Sequence, residues 1–253
     1  MPSTTATHAD PVAALNAALG LHARAFALEW VASCESSNTE LLNRELPADD
    51  RLHVLVTDAQ SAGRGRRGRY WQSWSGGSLT FSVQWRIPAG SAAPAGLSLV
   101  VGLAVARALE DMGVAGVELK WPNDVLVHGN KLAGILIELV AQRGRPAAAV
   151  IGIGVNLRLP DDVRIPDQPA ITDLQRELAE KAADRVLVLA AILGQLRGLL
   201  DTYATAGFGA LRGAWEQRNA FADLPVRITG DRESVTGTCT GVDDDGALLL
   251  NCE

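Results

Sequence analysis

The sequence predicts a mixed α/β domain followed by a small all-β appendage, and three observations carry that expectation. Apolar runs bounded by turn residues recur through the first two thirds of the chain, as His53–Thr57, Leu79–Trp85, Lys131–Leu139 and Ala149–Leu157. Long apolar stretches at helical spacing stand among and after them, at Leu97–Met112 and Asp184–Tyr203. From Leu224 onward only short strand-like segments remain, separated by Gly230-Asp231 and by Asp243-Asp244-Asp245-Gly246. A length of 253 residues holds one sizeable domain plus such an appendage, which at about 30 residues must lean on the rest.

Taken in order, Pro11–Ala23 is an alanine-rich lead-in helix with Leu15, Leu19 and His22 near helical spacing, and Phe26–Val31 is the first strand. Only about two dozen residues precede that strand, too few for a separate DNA-reading helix-turn-helix. Next comes the hydroxyl-rich turn Ser33–Glu40, where Ser37 and Glu40 have capping-box spacing, so the turn either caps a helix or lines a ligand. Pro47–Asp50 turns the chain into the His53 strand, Ser75–Ser78 turns it into the Leu79 strand, and Pro88–Pro94 is a linker to the Leu97 helix.

Val117–Val125 starts as a strand and is broken by Pro122, which leaves Lys120, Asn123 and Asp124 on a strand-end kink. An ammonium, an amide and a carboxylate there suit a nucleotide with Mg²⁺, or a structural turn alone. His128-Gly129-Asn130 is a hairpin turn, and a second hairpin runs through Arg143–Pro146. Gly134, Gly152 and Gly154 stand inside strands, where glycine often marks the close approach of another group. Gly152-Ile153-Gly154 is a poor dinucleotide fingerprint, because the third glycine is missing and Pro160 and Pro166 deny the helix that should follow. Asp173–Lys181 and Phe208–Asn219 are expected to be amphipathic helices, and Leu187, Ile192, Leu196 and Leu200 to face a core.

The chemistry concentrates in Ala62–Arg69, where four arginines stand among three glycines in a chain of formal net charge -6. Glycine lets backbone N–H groups approach a ligand, and guanidinium offers a planar fork of donors to carboxylate or phosphate. Tyr70, Trp71 and Trp74 follow, able to stack on a ligand ring or to pack beneath the loop. Because strands flank this loop, it reads as a built anion site, the alternative being an RG-type nucleic-acid tail. Cys34, Cys239 and Cys252 are scattered without metal or disulfide spacing, and the four histidines make no metal motif. No Ser-His-Asp arrangement or reactive-cysteine signature is present, so electrostatic positioning is expected instead of covalent catalysis. With no secretion signal at Met1–Asp10, and Leu97–Leu109 too short to span a bilayer, a cytoplasmic location is expected.

Gly63-Arg64-Gly65-Arg66-Arg67-Gly68, Lys120-Trp121-Pro122-Asn123-Asp124, Lys131–Leu136 and Gly152–Asn156 occur in one order in which the chain resembles the biotin protein ligases, in their class without an N-terminal DNA-binding domain. That resemblance, from Phe26 to the C-terminus, implies a catalytic domain of the class II aminoacyl-tRNA synthetase/biotin synthetase-like kind over residues 26–221, after a lead-in at 1–25. It implies an SH3-like barrel over 222–253, which in the family runs on past the strand matching Leu248–Leu250. The implied reaction joins biotin to ATP as biotinyl-adenylate and passes the biotinyl group to a lysine of an acyl-CoA carboxylase carrier domain, without DNA or membrane partners. By the same resemblance Ser36, Ser37, Asn38, Gln60, Arg64, Gly65, Arg66, Lys131 and Gly134 would bind biotin. Arg66, Arg67, Arg69, Trp71, Lys120, Asn123, Asp124 and Asn156 would bind ATP, Asp124 would meet Mg²⁺, and Lys131 and Arg66 would be catalytic. The related lipoate ligases carry an R-R-x-x-G-G signature that is absent here.

Overall fold

A computed structural model of the chain describes residues 10–88, 94–142, 145–161, 163, 170–178, 183–230 and 234–252. Seven strands form its main sheet: β1 (Phe26–Val31), β2 (Leu52–Thr57), β3 (Ser78–Arg86), β4 (Val117–Lys120), β5 (Asp124–Val127), β6 (Asn130–Gln142) and β7 (Arg145–Asn156). Their order is β1-β2-β3-β7-β6-β5-β4, with β1 and β2 parallel and every other pair antiparallel. Alternation along the strands sends Phe81, Val83, Ile135, Ile151, Ile153 and Val155 into the main core. That core is closed by α1 (Pro11–Leu19), α3 (Leu97–Asp111) and α5 (Arg185–Ala206). The short α2 (Ser37–Leu42) crosses the opposite face, where Leu41 meets Leu55 and Val150 in a much smaller cluster.

Local chemistry explains the helix limits. Asp10 caps α1 through Val12 N at 3.0 Å with Pro11 as its first residue, and Gly20 at φ 55 ends it, so the helix stops before Ala23 and His22 lies exposed in a 3₁₀ turn. Leu15 and Leu19 are buried in the main core, so the lead-in helix shares it. Asp184 caps α5 through Val186 N and Leu187 N. By length and composition α5 is apolar enough to cross a membrane, yet Val188, Ile192, Leu196 and Leu200 are buried against the other helices. Leu187 corrects the expectation: it is 56% exposed, one position off that stripe.

Two further helical expectations shorten. α4 spans only Leu174–Glu177, with residues 179–182 outside the described ones, and α6 spans Gly209–Glu216. The turns expected at Arg143–Gly144 and at Asp231, the inner part of the Pro88–Pro94 linker, and Pro166 also lie outside the described residues.

Three antiparallel strands, β8 (Pro225–Thr229), β9 (Ser234–Val242) and β10 (Leu248–Asn251), make the C-terminal sheet, in keeping with an SH3-like unit. It leans on the larger unit as expected, with Cys239 and Val242 buried and Val242 part of the main core. Its β9–β10 turn packs on the start of α3, where Gly96 takes φ 72 and an added Cβ would stand 2.8 Å from the Phe208 ring. Gly96→Ala is expected to lose about 3 kcal/mol of stability from backbone strain and overpacking, read as a lower urea midpoint at unchanged slope.

Candidate functional site

The sheet face opposite the main core carries a trough built from register. Asp124 on β5 pairs with Gly134 on β6, Gly134 with Gly154 on β7, Gly154 with Thr80 on β3, and Thr80 with Thr57 on β2. The adjacent row sets Leu136 beside Gly152 and Gly152 beside Ser82. Three side-chain-free positions thus coincide. Trp71 lies across two of them: a Cβ on Gly154 would stand 2.7 Å from the indole Nε1, and one on Gly134 3.0 Å from the ring. The close approach expected at these glycines is therefore made by the protein's own tryptophan, whose buried Nε1 has no hydrogen-bond partner among the described residues.

At one end of the trough α2 begins. Ser37 is not its cap: the helix starts after Ser36 in extended backbone, and the Ser37 hydroxyl is used elsewhere. Ser37 donates from N and Oγ to Gln60 Oε1 at 2.8 and 3.1 Å, and Ser82 Oγ lies within hydrogen-bond reach of both Ser37 Oγ and Asn38 Oδ1. The amide nitrogen of Asn38 donates to Glu138 Oε2 at 3.0 Å and to the Leu136 carbonyl. Only 3% of Asn38 is exposed, and a Cβ on Gly152 would stand 2.9 Å from its Cγ. This end is a buried, polar pocket of fixed geometry.

Over the trough folds the basic loop, ordered by its own backbone bonds, Trp71 N to Gly63 O and Gly65 N to Arg69 O. Arg64 pairs with Glu138 at 2.8 Å, Arg66 donates to Asn123 Oδ1 at 3.3 Å, and Arg67, at a left-handed φ of 56, donates to the Thr229 carbonyl at 2.8 Å. Though exposed, these arginines bond to the protein's own groups, which disfavours a nucleic-acid tail. Burial, and then the Arg67 charge, pulls the Arg66 guanidinium below its ordinary value, with Asp124 opposing.

Lys120, Asn123 and Asp124 do not sit on a simple kink. With a cis Trp121–Pro122 peptide, residues 121–123 form a tight hairpin that sets Lys120 opposite Asp124. Lys131 Nζ meets Asp124 Oδ1 at 2.8 Å, stands 5.8 Å from the Trp71 ring centroid, and is itself mostly buried. Lys120 lies over Phe221.

A cavity of about 350 Å³ collects Ser36, Ser37, Asn38, Gln60, Arg64, Gly65, Arg66, Arg67, Arg69, Trp71, Lys120, Asn123, Asp124, Lys131 and Gly134, which is every expected ligand residue but one. Asn156 is the exception. It is buried with its amide nitrogen on the Thr172 and Lys131 carbonyls, so it fixes the strand ends instead of lining the cavity. Sequence reasoning missed Ser82, Glu138 and the β8 residues Arg227, Ile228 and Thr229. The polar alternation Thr80-Ser82-Gln84 was a usable signal for Ser82. Among the described residues, seven cationic side chains line the cavity with a single carboxylate, Asp124. Such a wall attracts anions, and its polar pocket recognises a neutral hydrogen-bonding head.

A sequence model of the biotin/lipoate A/B protein ligase family matches residues 30–156, and one of the biotin protein ligase C-terminal domain matches residues 225–253. The bifunctional ligase/repressor BirA of Salmonella typhimurium is 41% identical over 222 residues, covering 85% of this chain and 67% of that protein. The chain thus spans about two thirds of the length of that relative. The biotin--[acetyl-CoA-carboxylase] ligase of Paracoccus denitrificans is 37% identical over 227 residues, covering 87% of this chain and 92% of its own. Among solved structures, the biotin protein ligase from Aquifex aeolicus in complex with biotin and ATP superposes with a TM-score of 0.76 at 28% identity, covering 89% of this chain and 91% of that one.

Proposed function

The chain belongs to the biotin/lipoate A/B protein ligase family, and on that premise we propose that it is an ATP-dependent biotin ligase serving the carboxyl carrier domain of acetyl-CoA or a related acyl-CoA carboxylase. In the first step an oxygen of the biotin carboxylate attacks the α-phosphorus of ATP and pyrophosphate leaves. In the second a carrier lysine amine attacks the acyl carbon of the mixed anhydride, loses a proton, and AMP leaves. Both substrates of the first step are anions, so cations must offset a repulsion that is greatest as the new bond forms.

The observation that carries this reading is the pairing of a polar pocket with a cation-lined trough in one cavity. Ser36, Ser37, Asn38 and Gln60 would take the ureido ring of biotin, with Gly134 and Gly152 giving the space that Trp71 and Asn38 occupy at the edge of that pocket. Asn38 has its amide nitrogen committed to Glu138 and Leu136 O, which assigns it to shaping that pocket more than to donating into it. Arg64 and Gly65 would close over the ring, and Lys131 would meet the carboxylate and α-phosphate, held in place by Asp124 and the Trp71 face. Arg66, Arg67, Arg69 and Lys120 would take the outer phosphates, with Trp71 and Asn123 completing the wall.

Among the described residues Asp124 is the only carboxylate on the cavity wall, and no group of three potential metal-binding side chains occurs. That donor set fits a Mg²⁺ that arrives on the nucleotide, with Asp124 and Asn123 beside it, more than a resident metal site. Bound there, Mg²⁺ would offset phosphate charge. The division into a lead-in at 1–25, a catalytic unit at 26–221 and a C-terminal unit at 222–253 belongs to the same proposal, as does a cytoplasmic location, with which three free thiols agree.

Calorimetry with biotin and with lipoate, followed by biotinylation of a carrier domain with ATP, tests the reading. Heat on biotin addition, none with lipoate, and an ATP-dependent label on the carrier are expected. Indifference to biotin, or capture of polynucleotide by the arginine loop, would overturn it.

A further inference from the structure

The C-terminal sheet reaches into the cavity. Arg227, Ile228 and Thr229 of β8 form part of its wall, beside Arg66, Arg67, Arg69 and Lys120. The sheet is fastened there from both basic segments. Arg67 donates to the Thr229 carbonyl at 2.8 Å, Trp121 Nε1 donates to the Gly246 carbonyl at 3.0 Å, and Lys120 stands 5.7 Å from the ring centroid of Phe221, just ahead of β8. Arg212 and Asp244 add an ion pair at its far side.

Alternation along β8 puts Arg227 on the same side as Thr229, about 7 Å along the strand from the Arg67 bond. Its guanidinium makes no hydrogen bond or ion pair among the described residues, whereas Arg64 has Glu138 and Lys131 has Asp124. The other charged side chains of the cavity wall, Asp124 excepted, bear its own sign, and burial with the Arg67 charge already weighs on Arg66. Such a cluster is assembled against mutual repulsion and is offset when a polyanion enters.

Resting on the ligase reading above, we propose that Arg227 is a nucleotide-phosphate ligand supplied by the C-terminal sheet, so that the triphosphate is gripped between the basic loop and β8. The triphosphate and the departing pyrophosphate are present only in the adenylation step. Arg227 therefore serves that half-reaction and has no anion to hold once pyrophosphate has left.

The test compares the full-length chain with Arg227→Ala and Arg227→Lys in two assays. In biotin-dependent ATP–pyrophosphate exchange, Arg227→Ala is expected to raise the KM for ATP about tenfold, from loss of one charge-assisted contact, and to weaken inhibition by added pyrophosphate. Arg227→Lys should recover part of both. Biotin affinity and melting temperature should stay at wild-type values, because the side chain is exposed and makes no hydrogen bond or ion pair among the described residues. In the second assay, with preformed biotinyl-adenylate and carrier domain, Arg227→Ala should transfer at the wild-type rate. An unchanged KM for ATP, or a defect confined to transfer and expressed in the KM for carrier, would overturn the proposal, the latter by making β8 a carrier-docking strand. Failure of the wild-type chain to catalyse biotin-dependent exchange would instead count against the ligase reading itself.

Discussion

Lys131→Ala is expected to give a folded protein whose biotin-dependent pyrophosphate exchange has fallen by at least about a hundredfold, the loss typical of one preorganised charge donor in a water-poor site. Folding should survive because the backbone of Lys131 does the structural work. Its N–H donates to the Ala170 carbonyl at 2.8 Å and its carbonyl accepts from Thr172 N at 3.0 Å, neither of which needs the side chain. The variant also leaves Asp124 without its partner, at 17% exposure of that side chain. A partly screened carboxylate left alone should cost about 1–2 kcal/mol of stability, visible as a modest fall in melting temperature. Asp124→Asn separates the two effects, since it frees Lys131 without removing it. Near-normal exchange by a folded Lys131→Ala protein would reject the assigned role.

Biotin affinity should respond as sharply to a residue that touches no charge at all. A methyl group at Gly152 must displace Asn38, which is buried and held by Glu138, Leu136 O and Ser82. Moving Asn38 disturbs Ser82, and through it Ser37 and Gln60. Two buried hydrogen bonds lost from the pocket correspond to about 2 kcal/mol, so Gly152→Ala should weaken biotin binding roughly thirtyfold by calorimetry. Its KM for ATP should change little, because the phosphate-facing cations lie at the other end of the trough. Wild-type biotin affinity in this variant would mean that the pocket is not the ring site.

Much of this was legible before any coordinates, and what was legible shares a physical feature. The basic loop, the Lys120–Asp124 hairpin and the Lys131 strand are contiguous segments whose residue types are costly to hold together unless a ligand or partner charge offsets them. Glycines inside strands announced close approach, but only the sheet register reveals that Gly134, Gly154 and Gly152 adjoin and that Trp71 lies across the first two. Glu138 was invisible because it sits in an ordinary alternating strand, and its partner Arg64 is 74 positions away. Arg227 was invisible for the same reason, β8 being joined to the loop by a bond across 162 positions. The capping-box spacing at Ser37 and Glu40 left a cap or a ligand-lining turn open, because a hydroxyl at the first helical residue can turn either way; here it donates to Gln60 Oε1. Asn156 stands apart from the other expected residues because a strand end beside Lys131 is shared by residues that bind ligand and residues that fix the strand.

On the ligase reading, one cavity brings two repelling anions together and lets them react. Exchange of labelled pyrophosphate into ATP, with and without biotin, measures that directly. Exchange that appears only when biotin is present is the predicted result; exchange indifferent to biotin, or none under either condition, would contradict it.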